Sequence, residues 1–286
     1  DLSDKQKQND KDGIKQVLET LYEKYKQFIG ELYKSDKYLS KGKEVVDYYF
    51  GELRSILGKP YTSELSKLLV VQGELISTNL FINYLWENKL DANIIPAADF
   101  MTLNEDGEPD LNEIGEKLNK ILETEADNNI LITQGFICRN AAGEIDNLKR
   151  GGSDYSATLI GAAINATESQ IWTDIDGMHN NDPRIVETTF PIAELSFDEA
   201  GELAYFGAKI LHPNCIIPAQ QRNVPVRIKN TMDPDAKGTL ITSNKNPDSV
   251  KTISRLLKSN HPEWFWLMVF SERFLRFLRN IKHQLI

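Results

Sequence analysis

The 286-residue chain sets 33 Lys and Arg against 42 Asp and Glu, a net charge of -9, and 41% of its residues are hydrophobic. That balance argues against a broad nucleic-acid face, which needs a basic surface to neutralise phosphates, while the apolar share suffices for a substantial core. Cys138 and Cys215, far apart and without metal-ligand spacing, indicate neither a disulfide framework nor a zinc site.

Residues 1–12 are polar and charged, with no apolar stretch of the kind a signal peptide requires, so the expected location is the cytoplasm. From Ile14 onward, Val17, Leu18, Leu21, Tyr25, Phe28, Ile29 and Leu32 recur at three- and four-residue steps and predict a helix with one buried face. Val45, Val46, Tyr49, Phe50, Leu53, Ile56 and Leu57 repeat the pattern until Gly58-Lys59-Pro60 breaks it. A third helix is predicted over 63–88, with Gly73-Glu74 inside it. A glycine there costs about 1 kcal/mol against alanine, which either tight helix packing or close approach of a ligand would justify.

Further on, strands are predicted at 92–97, 129–133 and 170–173, alternating with helices at 111–124 and after Asp154. Such alternation predicts crossover units, a mostly parallel sheet, and ligands beyond the carboxyl ends of its strands. Residues 136–148, with Ala142-Gly143 near the middle, predict a hairpin. A helix follows at 196–208, opened by a capping box in which Ser196 and Glu199 satisfy one another's N–H groups. Strands at 224–228 and 239–242 complete the sheet.

The stretch Arg150-Gly151-Gly152-Ser153-Asp154, directly ahead of the apolar run Ala157, Leu159, Ile160, Ala162, Ala163 and Ile164, suits an anion site. Glycines let backbone approach a ligand, Ser153 or Asp154 can cap the helix, and the N–H groups of its first turn face negative charge. Arg150 adds a planar fork matched to a carboxylate or phosphate. Taken alone, the same residues equally describe a glycine turn with a capped helix and a surface arginine.

Three more segments accompany it: Thr133-Gln134-Gly135-Phe136 upstream, then Ile171-Trp172-Thr173-Asp174-Ile175-Asp176-Gly177-Met178-His179-Asn180-Asn181-Asp182-Pro183-Arg184, and Phe206-Gly207-Ala208-Lys209-Ile210-Leu211-His212-Pro213. In this order and at these separations they closely resemble the catalytic domain of aspartate kinase, in the amino-acid kinase family, over residues 67–242. The resemblance implies an α/β fold, a three-layer α/β/α sandwich with a mostly parallel central sheet preceded by a helical segment. The catalytic domain would occupy 1–242, with 1–66 as its helical part. The implied reaction is phosphoryl transfer from ATP, with Mg2+, to the side-chain carboxylate of L-aspartate. Its product, 4-phospho-L-aspartate, opens lysine, threonine and methionine biosynthesis. The partners implied are L-aspartate and ATP, with no nucleic acid, and a homo-oligomer is compatible with them. The alternatives are a catalytically inactive ligand-binding or regulatory subunit of the same fold, or a relative acting on another acceptor such as glutamate.

Carried over residue by residue, Glu74 resembles the carboxylate that receives the amino group of aspartate, Arg150 the fork on a substrate carboxylate, and Phe136 the apolar wall beside them. Gly151 and Gly152 form the close-approach backbone. Ser153 and Asp154 resemble the pair at the reacting end, where Asp154 orients donors, since a carboxylate nucleophile is already ionised at neutral pH. Thr173 and Asp174 resemble the residues against adenine and ribose, and Arg184, Lys209 and Ile210 the phosphate side. His179 stands where the family often has Tyr and is carried over as a nucleotide contact. No metal ligand is assigned. His212, Asp176 and Asp182 are expected to be structural.

The chain also departs from the family. Its opening lacks the Lys-Phe-Gly-Gly strand whose lysine reaches the transferring phosphoryl group, so an impaired fragment is expected. Lys67 stands where Asp is frequent, Val71 where Ser is usual, and Lys149 replaces the Gly before Arg150. Residues 243–286 resemble nothing in the family: an apolar run after Pro262, interleaved with Arg273, Arg276, Arg279 and Lys282, predicts an amphipathic helix too charged and too short in apolar length to span a bilayer.

Overall fold

The computed structural model describes residues 2–125, 129–149, 151–179, 189–206 and 211–243. Arg150, Arg184, Lys209, Ile210 and residues 244–286 of the tail lie outside the described residues. The rest falls into two compact units, one built from Asp1–Gly107 and Glu125–Asn147, the other from Glu108–Thr124 and the described part of Leu148–Glu272.

The apolar periodicity near the start becomes three long helices of the first unit: α2 (Lys11–Leu32), α3 (Asp36–Leu57) and α4 (Ser63–Glu87). A short α1 (Leu2–Lys7), unforeseen among so many charges, precedes them. Its buried Gln6 side-chain amide ties it to the end of α3, donating to the carbonyls of Ile56 (3.0 Å) and Lys59 (2.9 Å). Side-chain caps start α2, where Asp10 accepts the Gly13 N–H at 2.8 Å, and α4, where Thr62 accepts that of Leu65 at 3.2 Å. Tyr25 of α2 meets Phe50 of α3 edge-on, ring centroids 5.7 Å apart. Both are fully buried, so this aromatic pair centres the helical part.

α4 is long and apolar enough to cross a membrane by length and composition, but half of its most apolar window is buried within the fold. Against it lie two small sheets. β1 (Ala92–Ile94) pairs in parallel with β2 (Ile130–Ile132), and β3 (Ile137–Arg139) forms the expected hairpin with β4 (Ile145–Asn147). The hairpin turns at Gly143, whose φ of 77° demands a residue without Cβ strain.

The second unit holds α5 (Leu111–Thr124), α6 (Gly152–Ala163), α7 (Phe197–Phe206) and α8 (Ile217–Arg222) with a four-stranded sheet. Its strands are β5 (Ser169–Thr173), β6 (Glu194–Ser196), β7 (Val226–Asn230) and β8 (Thr239–Thr242), in the order β5-β7-β8-β6. β5 with β7 and β6 with β8 run parallel, whereas β7 and β8 are antiparallel. That join departs from a uniformly parallel sheet because residues 231–238 are too few for a crossover, which takes about a dozen residues or more. Ile171, Leu195, Val226, Ile228 and Ile241 turn one face of the sheet into a core shared with Phe197, Ala200 and Cys215. Both arms of the capping box are present: Ser196 N–H donates to Glu199 Oε2 at 2.7 Å, and Glu199 N–H to Ser196 Oγ at 3.2 Å.

Candidate functional site

In the first unit the site residues gather where β2 ends beside α4. Glu74, half-buried on α4, accepts the Gly135 backbone N–H on Oε1 at 2.9 Å. The chain then turns through Phe136 with φ of 50°, a left-handed conformation that a bulky side chain adopts only when its surroundings enforce it. The hydrogen bond thus brings Glu74 to the backbone one residue before Phe136. Burial first, and the Glu74 charge second, push the Tyr25 phenol well above its ordinary value, which places a neutral hydroxyl-bearing ring near this carboxylate.

In the second unit the glycine segment opens α6, but differently from expectation. Ser153 and Asp154 do not cap the helix; it begins at Gly152, and its N-cap is Gly151, held left-handed at φ 73° with no side-chain cap bond. Both polar residues therefore sit within the first turn, among the N–H groups that favour negative charge. Gly151 is required twice over, since a Cβ there would lie 2.8 Å from His212 Cβ as well as sit at an unfavourable φ. Lys149, with φ 61°, stands on the other side of position 150, and its carbonyl accepts the Gly152 N–H at 3.2 Å. His212 Nδ1 accepts the Asn214 N–H at 3.3 Å.

Cys215 donates weakly to the Gly151 carbonyl, Sγ to O 3.5 Å. Burial, reinforced by the Asp154 charge, pushes this thiol up to about 12, and burial does the same to Cys138. Both thiols stay protonated at neutral pH and are not nucleophiles.

Thr173 ends β5, its carbonyl held by the Thr231 N–H at 2.8 Å and hydroxyl at 2.6 Å. Its own hydroxyl donates to Asp174 Oδ1 at 3.2 Å, so the exposed Asp174 carboxylate is oriented just past the strand's carboxyl end. That is where open α/β sheets present ligand-binding groups.

His179 is held within the protein. It is 7% exposed, and both ring nitrogens are engaged by protein: Nε2 lies 2.6 Å from Asp176 Oδ1 and Nδ1 2.8 Å from Thr189 Oγ1. A carboxylate only accepts, so Nε2 is the donor to Asp176. Asp176, expected to be a turn residue, is one of the histidine's two partners. Beside them Thr239, fully buried, accepts the Met178 N–H at 2.7 Å and donates to the Ile192 carbonyl, fastening this loop to β8.

Sequence reasoning missed Gln134, Thr78 and Asp146. Gln134 is 3% exposed and bridges Ala97 N–H to Thr78 Oγ1. Asp146 receives Lys67 at 2.6 Å. A buried amide in a segment already matched as a motif was the signal available for Gln134; pairings between residues so distant in sequence left none. Among the described residues no group of three or more His, Cys, Asp or Glu could hold a metal ion.

The amino acid kinase family model matches residues 7–230. The lysine-sensitive aspartokinase 3 of Escherichia coli (strain K12) is 38% identical over 190 residues, 65% of this chain and 42% of that protein. Aspartokinase 1, chloroplastic, of Arabidopsis thaliana is 35% identical over 237 residues, 78% of this chain and 41% of its own length. Among solved structures, E. coli aspartokinase III in complex with aspartate and ADP (R-state) matches with a TM-score of 0.67 and 34% identity, covering 71% of this chain and 47% of that one. The aspartate kinase of Clostridium acetobutylicum matches with a TM-score of 0.56 and 31% identity, over 68% of this chain and 42% of that one. The chain thus spans less than half the length of these relatives.

Proposed function

Because this chain belongs to the amino acid kinase family and has its α/β fold, we propose that it carries the catalytic region of an aspartate kinase, which phosphorylates the side-chain carboxylate of L-aspartate from ATP. The observation that carries this reading is the Glu74 carboxylate, fixed by the Gly135 N–H at the left-handed Phe136 turn. A half-buried, oriented carboxylate suits the ammonium of an amino acid. The similarity to an aspartokinase whose structure was solved with aspartate and ADP supports the same reading.

In the reaction proposed, a side-chain carboxylate oxygen of aspartate attacks the γ-phosphorus of ATP. The new P–O bond forms as the bond from that phosphorus to the bridging oxygen breaks, and the electron pair leaves with ADP. No base is needed, because the nucleophile is already ionised at neutral pH. The residues therefore position anions and neutralise charge. Glu74 holds the amino group and Arg150 a substrate carboxylate. The first turn of α6, with Ser153 and Asp154, faces the reacting end with N–H groups. Thr173 and Asp174 hold the nucleoside, and Arg184 and Lys209 the phosphates, with Ile210 beside them. Mg2+ bound by nucleotide phosphates would neutralise their charge, but the described residues offer no metal cluster, so no ligand is assigned to it and no step runs through it.

Thermal unfolding with added ligands tests the reading. A ligand at 100 times its Kd stabilises by about 2.7 kcal/mol, so L-aspartate and ADP should each raise Tm while L-glutamate does not. A shift with L-glutamate and none with L-aspartate would overturn it.

A further inference from the structure

Two turns of hydrogen bonding tie the segment after β2 to α4, and only one of them involves a residue with an assigned role. Gly135 N–H donates to Glu74 Oε1 at 2.9 Å. One helical turn further along α4, Thr78 Oγ1 accepts from Gln134 Nε2 at 3.2 Å and donates to the Glu74 carbonyl at 3.0 Å. Gln134 Oε1 in turn accepts the Ala97 N–H at 2.8 Å, at the start of the short 3-10 turn Ala97–Asp99 that follows β1. The assignment of oxygen and nitrogen is unambiguous, because Ala97 N–H requires an acceptor and the threonine hydrogen is already given to α4.

The amide is buried at 3% exposure and Thr78 at 0%, so neither bond competes with solvent. We propose that Gln134 is a positioning residue for substrate recognition: by bridging the Ala97 N–H to Thr78 it fixes the Gly135 N–H that orients the Glu74 carboxylate. This deepens the aspartate reading above and rests on it. The geometry leaves little freedom for any other arrangement. Residues 134 and 135 are adjacent, and their partners Thr78 and Glu74 lie four apart on one face of α4, so the backbone is pinned at two points in a row. The positive φ of Phe136 immediately after is what such a double anchor enforces. Without the Gln134 bonds that turn relaxes, and the carboxylate loses its directed donor while α4 itself stays intact.

The test uses the full chain with three substitutions: Gln134→Met, which keeps length and apolar bulk but removes both bonds; Thr78→Val, which removes the hydroxyl at constant shape; and Thr78→Ser, which retains it. Calorimetric titration of L-aspartate and of ADP, with backbone amide exchange at Gly135, gives three readouts. Gln134→Met and Thr78→Val should each weaken L-aspartate by about tenfold, speed Gly135 exchange by about the same factor, and leave the ADP Kd within about twofold. Thr78→Ser should restore aspartate affinity. A merely structural role would lower both affinities together or neither. If the unsubstituted chain binds aspartate and the variants bind it equally well, the positioning role is wrong and the function stands. If the unsubstituted chain binds no aspartate, the function falls and takes this proposal with it.

Discussion

Lys67 on α4 sets its ammonium 2.6 Å from Asp146 Oδ2 on β4, joining two residues 79 positions apart across one unit. The resemblance leads one to expect Asp at position 67, and a carboxylate 17% exposed faces the Lys67 ammonium that stands there instead. The bond to Asp146 outweighs the cost of burial and holds the Lys67 ammonium above its ordinary value.

Restoring the family's residue alone should therefore fail. Lys67→Asp should destabilise the chain by placing like charges together, and Lys67→Asp with Asp146→Lys should recover part of the loss. Urea unfolding of the four proteins of this cycle should give a coupling of about 1 kcal/mol, the upper range for a partly exposed pair.

Two glycines of similar φ should respond differently to alanine. Gly143, at φ 77°, has open space around its missing Cβ, whereas Gly151, at φ 73°, would press a Cβ onto His212. Gly143→Ala should cost about 1 kcal/mol and Gly151→Ala about 2–4 kcal/mol, checked by the same unfolding measurement. Equal losses would remove the close packing of the α6 start.

Glu87 gives a pH signature. Its carboxylate accepts from the Lys34 N–H and from the N–H and hydroxyl of Ser35, capping α3 from the end of α4. Burial opposes ionisation, but these bonds outweigh it and hold the carboxyl below its ordinary 4.5. Because the folded value is depressed, the stabilisation is present above the unfolded value and is lost as pH falls through the folded one. Glu87→Gln should cost about 1 kcal/mol at pH 7, and the gap to the unsubstituted chain should narrow as pH falls below the ordinary 4.5.

Nucleotide binding should be separable from amino-acid binding. Lys209→Ala should weaken ADP by an amount that shrinks as salt rises, since exposed phosphate contacts are screened over about 10 Å at 0.1 M. L-aspartate affinity should be unmoved, as titration of both ligands would show.

Much of the fold was legible because it rests on local rules. The three- and four-residue spacing from Val17 to Leu57 became α2 and α3, the Ser196–Glu199 box formed both of its bonds, and Ala142-Gly143 turned the hairpin. The start of α6 was misjudged for a physical reason. Gly151 in a left-handed conformation can begin the helix without a side-chain acceptor, and nothing in composition separates that cap from one made by Ser153 or Asp154. Long-range pairing was the other limit. The Lys67 to Asp146 bond, the Gln134 bridge and the His179 to Thr189 contact depend on which segments the fold brings together.

Titration of L-aspartate into the unsubstituted chain, Glu74→Gln and Arg150→Ala, with ADP titrated into each as the reference, addresses the central claim most directly. The account predicts saturable aspartate binding that Arg150→Ala weakens by about 2–5 kcal/mol and Glu74→Gln by about 1.5–3 kcal/mol, with ADP affinity preserved in both. Equal aspartate affinity in all three proteins, or no aspartate binding in any while ADP binds, would contradict it.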